Sequence, residues 1–321
     1  MKPAWEEVAF HEYLEAKYEV DSLSINQGVF DTFLEKLASR TSFEGTDPDA
    51  GFPGKERTGP PRNVPGRGPA ANPVRILDLG TGTGSMVRRL AERLGESRIG
   101  KFHILGIDSS EQSLAEARER TQGIPGAVEI EFAKADWPEA GNHLEDHSFH
   151  AVTALSFMDL VPLQEAVETL GTLLPHRGLF YSALNYDGKT GLLPLMEEDR
   201  FEQEVLAWYD ESMEQRRFRG KETGGSRCGS RLYSSLVQSG QFQVHSIGAS
   251  DWCLLPGMIP QKRYTAFLGW ILGRIYAEAR ESGHFEGRKL EEWFRFRRRQ
   301  LETNILGLVV HQVDILAERT G

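Results

Sequence analysis

The segment "VRILDLGTGTGS", Val74 to Ser85, runs from apolar, strand-forming residues into an aspartate and then into glycines at positions 80, 82 and 84. Glycine reaches left-handed backbone angles without steric cost and lets main chain approach a ligand closely. A short strand that ends in such a loop and continues as the helix "SMVRRLAERLG" opens a strand–helix repeat. The repeat goes on. "KFHILGID" reads as a second strand, and "SSEQSLAEARERT" as a helix with a serine cap and an acidic first turn. "VEIEFAKAD", "FHAVTALSF" and "GLFYSALNY" read as strands three to five, with the proline-started helix "PLQEAVETLGTLL" before the last. This alternation predicts a parallel sheet covered on both faces, with ligands at the C-terminal strand ends beside the first strand.

After residue 186 the texture changes. "MEEDRFEQEVLAWYDESMEQRRF" and "RLYSSLVQSG" read as helices, and "FQVHSIGASDW" as a sixth strand. "QKRYTAFLGWILGRIYAEARESG" and "KLEEWFRFRRRQLE" read as a helical hairpin. "ILGLVVHQVDIL" reads as a seventh strand, with a terminal helix as the alternative. Upstream, residues 5–39 show apolar residues at three- and four-residue steps, as a helix would. Thr41 to Asn72 hold six Gly and six Pro in 32 residues, a composition expected of a flexible linker.

Composition narrows the function classes. The 321 residues are 39% hydrophobic and 26% charged, as in a soluble globular protein. No apolar run approaches the roughly 20 residues of a membrane-spanning helix. Met1 to Phe10 contain Glu6 and Glu7 and no apolar core of a secretory signal. Two cysteines make no disulfide framework, so a reduced, cytoplasmic setting is expected. The net charge of −10 argues against a nucleic-acid partner, which would require a basic face. "RFRRRQ", Arg295 to Gln300, follows Glu291 and Glu292 by one turn and reads as a solvated helix face. No histidine–carboxylate cluster has metal-ligand spacing, so no metal is expected.

Three details decide what the glycine loop holds. Asp78 stands two residues before Gly80, where its carboxylate would repel the pyrophosphate that a dinucleotide lays over the helix N-terminus. S-adenosyl-L-methionine has no phosphate and carries a sulfonium and an ammonium group, which an acidic loop suits. The glycines form G-x-G-x-G, and Ser85 stands where the dinucleotide fingerprint has Gly or Ala. Asp108 closes the second strand 28 residues after Gly80, placed to accept both ribose hydroxyls.

On these residues the chain resembles the class I, Rossmann-like S-adenosylmethionine-dependent methyltransferases. The likeness covers about residues 74–185 through "ILDLGTGTGS", "GIDSS", "AKADW" and "LSFMDL". It implies an α/β fold, a seven-stranded, mostly parallel sheet with an antiparallel last strand and helical insertions. It also implies that the loop (Asp78, Gly80, Thr81, Gly82, Thr83, Gly84) wraps the methionine part of the cofactor. Asp108 with Ser109 would bind the ribose, Asp136 with Trp137 the adenine, and Ser156 to Asp159 would face the methyl group and substrate. His150 departs from the acid that many members carry at the start of the fourth strand. "SALNYDG", "GASDW" and "VVHQVDILA" resemble a bacterial subgroup of the same family.

Asp159 is the candidate general base. Asn185 and Asp187 after the fifth strand, and Asp251 and Trp252 after the sixth, are candidate contacts for a small-molecule methyl acceptor. An antiparallel last strand is expected to carry His311 away from the cofactor. The expected organisation is an N-terminal helical segment (1–40), the linker (41–72) and one domain (73–321). That domain has a cofactor-binding half (73–185) and a substrate or lid half (186–321). Two other readings stay open from sequence: a nucleotide-dependent oxidoreductase on the same kind of sheet, and a catalytically silent, methyltransferase-like binding protein.

Overall fold

β1 (Val74–Leu79) is apolar on both faces and almost entirely buried, which only the middle of a covered sheet allows. It pairs in parallel with β2 (Phe102–Asp108) on one side and β4 (Ala151–Leu155) on the other. β3 (Val128–Lys134) adds beyond β2, and β5 (Leu179–Leu193) beyond β4, all parallel. β10 (Gly307–Arg319) then runs antiparallel to β5, and β8 (Phe242–Ala249) antiparallel to β10. The order is β3-β2-β1-β4-β5-β10-β8, with β9 (Trp252–Leu254) also paired to β10. These elements come from a computed structural model that describes residues 10–42, 73–95, 101–124, 128–137, 149–196 and 200–321. The expected linker, apart from residues 41 and 42, lies outside the described residues.

Two apolar layers cover the sheet. On one face α2 (Gln27–Ala38) and α3 (Ser85–Gly95) bring Phe30, Phe33, Val87 and Leu90 onto Ile76, Tyr181 and Leu316. On the other, α5 (Leu163–Leu173) and α7 (Cys228–Gln238) bury Leu170, Leu232 and Leu236 against Leu77, Val152 and Ile315. α4 (Glu111–Arg120) starts at a Ser110 cap that accepts from the Ser113 N–H, as its sequence predicts.

A third core lies beyond the C-terminal strand ends, where the architecture departs from the expected outline. β5 does not stop at Tyr186 but continues to Leu193, and β10 pairs with it along this extension. α6 (Arg200–Ser212) packs on this arm, α1 (Phe10–Ser24) packs on β9 and on α8 (Gln261–Ser282), and α9 (Gly287–Glu302) packs on α8. Tyr13, Tyr209, Trp252, Phe267, Ile271, Trp293 and Phe294 are buried in this cap core.

The N-terminal segment is helical over its described residues, as two helices, because Asn26 caps the second by accepting from the Val29 N–H. Other expectations need correction. Only α1 covers the strand ends; α2 lies on a sheet face. The helix expected to run to Phe218 ends at Ser212, and Arg217–Phe218 and Lys221–Glu222 pair as a small hairpin, β6 and β7. Its turn residues Arg219 and Gly220 have φ of 50° and 81°, the two left-handed angles a tight hairpin turn requires. His311 is not carried away from the strand ends. β10 enters at that edge, and Gln312 is level with Tyr186 while β4 ends at Leu155, level with Ala183. The basic stretch is not wholly solvated either. Arg295 and Arg298 pair on the surface with Glu291 and Glu302, but Arg297 is fully buried on Glu202.

Candidate functional site

The glycine loop leaves β1 at the edge capped by the third core. Gly80, Gly82 and Gly84 have φ of 58°, 52° and 80°, so all three use the left-handed region that other residues reach only with strain. A Cβ on Gly80 would stand 2.2 Å from the ring of Phe157, so the loop and the segment after β4 approach as only glycine permits. Thr81 and Thr83 are buried.

Asp78 is the most informative group. It is 1% exposed, and its Oδ1 accepts from the Thr153 hydroxyl at 2.7 Å. Its Oδ2 is buried without a hydrogen-bond partner among the described residues; the Thr81 hydroxyl lies beside it without a well-formed bond. Burial, opposed by the Thr153 bond, raises this carboxyl from 3.8 to about 7. A buried oxygen with an open lone pair is costly unless something binds it.

The other candidates fall into two groups. Around the loop, the Asp108 carboxylate accepts from the Gly82 N–H at 2.9 Å and the Ser110 N–H at 2.8 Å, tying β1, β2 and α4 together. Ser109 beside it is exposed. Asp136 pairs with Arg219 of the β6–β7 turn at 2.8 Å. Trp137 is buried edge-on to Phe157, and its indole N–H has no partner among the described residues. Ser156, at φ 49°, follows β4 directly.

The second group lies toward the cap. Asp159 is half-buried with Arg216 at 3.6 Å; burial raises its carboxyl, while Arg216 and Lys17 act in the opposite sense. Trp252 is buried, donates to Asp21 at 3.1 Å and meets Phe267 edge-on. Asn185 is engaged by the Ser182 hydroxyl and the Val313 carbonyl, and Asp187 by the backbone and hydroxyl of Ser230. These two carboxamide and carboxylate groups hold β5 to β10 and the start of α7. Asp251 accepts from the Gln312 N–H and bonds His311 Nδ1 at 2.8 Å.

Sequence reading assigned no site residue to α1. Lys17 reaches Ser156 Oγ at 3.1 Å and Asp21 at 2.6 Å, and its ammonium stands 5.3 Å from the Trp252 ring centre. Tyr13 is buried close enough to Asp21 and Asp159 for both carboxylates to raise its hydroxyl pKa further above the effect of burial. The spacing of Lys17 and Asp21, four residues apart, was readable as a helix pair; its placement over Ser156 was not, because that contact spans 139 positions.

Residues 76–178 match the model of the family described as methyltransferase domain. A trans-aconitate 2-methyltransferase of Methylobacterium nodulans is 42% identical over 69 residues, 22% of this chain and 25% of that protein. One from Rhodopseudomonas palustris is 31% identical over 112 residues, 31% of this chain and 41% of that protein. The chain thus spans well under half the length of these relatives. A solved S-adenosylmethionine-dependent methyltransferase from Methanosarcina mazei shares 14% identity, with 77% of this chain and 92% of that one covered at a TM-score of 0.41. The fold itself rests on the sheet order above.

Proposed function

We propose that this chain, whose residues 76–178 are a methyltransferase domain, transfers a methyl group from S-adenosylmethionine to a small-molecule acceptor. The observation that carries this reading is the open, buried Oδ2 of Asp78 beneath the glycine loop. An ammonium group fits it. A pyrophosphate would instead lay its negative charge against the ionised form of the same carboxyl. The chain's residues fit the rest of that cofactor: Asp108 and Ser109 for the ribose, Asp136 and Trp137 for the adenine, and Ser156 beside the transfer position.

Bound there, the cofactor would supply a methyl group already activated by a positively charged sulfur. The chain's own work is then positioning and exclusion of water. Tyr13, Tyr209 and Trp252 of the cap core would supply the apolar walls that exclude water from the transfer. Burial supports Asp159 in the role of proton acceptor by strengthening its carboxylate as a base, which the nearby Arg216 and Lys17 charges only partly offset. The relatives' names point to trans-aconitate, which carries three carboxylates. Here Lys17 and Arg216 already stand beside Asp21 and Asp159, and the apolar walls favour a less charged, aromatic acceptor.

Calorimetry with S-adenosylhomocysteine and with NAD tests the cofactor. Binding of the first and not the second is expected, and the reverse preference overturns the reading. Incubation with a metabolite extract and S-adenosylmethionine, read by mass spectrometry, should then show a product heavier by one methylene unit.

A further inference from the structure

We propose that Lys17 binds the methyl-accepting oxygen of a phenol- or enol-type acceptor as its oxyanion, so that the chain methylates acidic hydroxyl groups. The proposal rests on the methyltransferase reading and adds the acceptor atom to it. Lys17 comes from outside the sheet, on α1, yet its ammonium touches Ser156 at the end of β4, beside the proposed transfer position. It is held there. Asp21, 1% exposed and fixed in turn by the Trp252 indole N–H, takes one proton, Ser156 takes a second, and the Trp252 ring lies against the charge. An ammonium has three donors, so one remains for a ligand.

Charge arrangement points the same way. Asp21 offsets part of the Lys17 charge, so a positively charged sulfur near Ser156 is repelled less than by a bare ammonium. A protonated amine acceptor would meet a cation on both sides. An oxyanion would be attracted by both. Asp159 follows Ser156 by three residues in the segment after β4, so Lys17 on Ser156 is assigned the oxyanion and Asp159 the proton. The step balances: the hydroxyl proton passes to Asp159, the oxygen lone pair forms the new C–O bond, and the C–S pair stays on sulfur as a neutral thioether.

4-Nitrophenol, whose phenolate is yellow, serves as the probe, with the full chain and S-adenosylhomocysteine present. Bound to the wild type, it should ionise at lower pH than free nitrophenol, with the phenolate-to-phenol ratio raised about tenfold or more. Lys17→Met should abolish that shift and leave S-adenosylhomocysteine affinity unchanged. Should Lys17→Met fold poorly with Asp21 left unpaired, Lys17→Met combined with Asp21→Asn removes both charges together and must give the same result. A retained shift in either variant overturns the proposal, as does a wild type that binds no nitrophenol or binds it unshifted. Loss of S-adenosylhomocysteine affinity in both variants would assign Lys17 to the cofactor's own carboxylate and also overturn it. If the wild type binds no S-adenosylhomocysteine at all, it is the methyltransferase reading that fails.

Discussion

Asp78 is one carboxyl at the end of one strand, and its burial makes the site sensitive to pH. Its pKa is raised from 3.8 to about 7 in the folded chain, so below 3.8 both folded and unfolded forms hold the proton. As pH rises toward 7 the unfolded chain has released it and the folded chain has not, and stability falls. The difference is roughly three decades of proton affinity, each about 1.4 kcal/mol, so up to about 4 kcal/mol is lost by pH above 7. A bound ammonium reverses the preference by favouring the carboxylate. S-adenosylhomocysteine affinity should therefore rise with pH through about 7, and Asp78→Asn should flatten that dependence in calorimetry. An unchanged pH profile in the variant would remove Asp78 from the cofactor site. Asp108→Ala should weaken the same ligand by on the order of 1.5–3 kcal/mol, through loss of a charged acceptor. It also frees the Gly82 N–H that Asp108 now holds, so equal affinity in the variant would show that β2 does not border the ligand. At this scale the sequence was informative, because loop chemistry is local. Asp78 and the glycine spacing sit within seven residues, whereas Lys17 acts across the whole fold.

Among the elements, α9 shows how a local pattern can mislead. Its arginines alternate with aromatics and follow two glutamates, which reads as a solvated face. That holds for Arg295 and Arg298, whose partners sit one turn away. Arg297 instead turns inward, fully buried, where Glu202 of α6 and the Pro194 carbonyl receive it and Trp293 donates to the same carboxylate. The helix's own period does place Arg297 on the buried stripe, between Phe294 and Leu301, but its partner carboxylate lies 95 positions away and is not written in that period. Glu202→Ala would leave a buried guanidinium unpaired and should cost about 3–5 kcal/mol in denaturant unfolding. Glu202→Met combined with Arg297→Leu removes both charges and should cost much less. Similar losses in both variants would mean that the packing of α6 on α9, and not the charge pair, holds the cap together. The β6–β7 hairpin was missed for a related reason. Two-residue strands carry no period, and only the left-handed pair Arg219–Gly220 betrays the turn.

Across the whole molecule, the alternation of strands and helices was legible because short apolar runs alternate with segments of helical period along the chain from Val74 to Tyr186. The cap was legible only as helices, since its core assembles pieces from both chain ends around the extended arm of β5 and β10. This assembly closes over the strand ends. Tyr13 stacks on Trp270 with ring centres 4.0 Å apart, and Arg263 of α8 pairs with Glu15 and Glu19 of α1. Arg120 of α4 also holds Glu15, so the clasp ties cap to sheet domain. Between α1 and the glycine loop remains a cavity of about 150 Å³, bordered by Tyr18, Thr83 and Arg88. Lys17 and Ser156 are already in contact, so a molecule that reaches the proposed transfer position must displace α1 or pass beside it. Surface ion pairs such as those of Arg263 contribute little each, which suits a clasp that opens and recloses. Ligand closure should then appear as slower hydrogen exchange in residues 10–24 and 255–303 when S-adenosylhomocysteine and 4-nitrophenol are added together. Arg263→Gln should raise exchange in α1 of the ligand-free chain and leave the glycine loop unaffected. If ligands protect only the segments around Gly80 and Asp108, the cap is a fixed wall and not a lid.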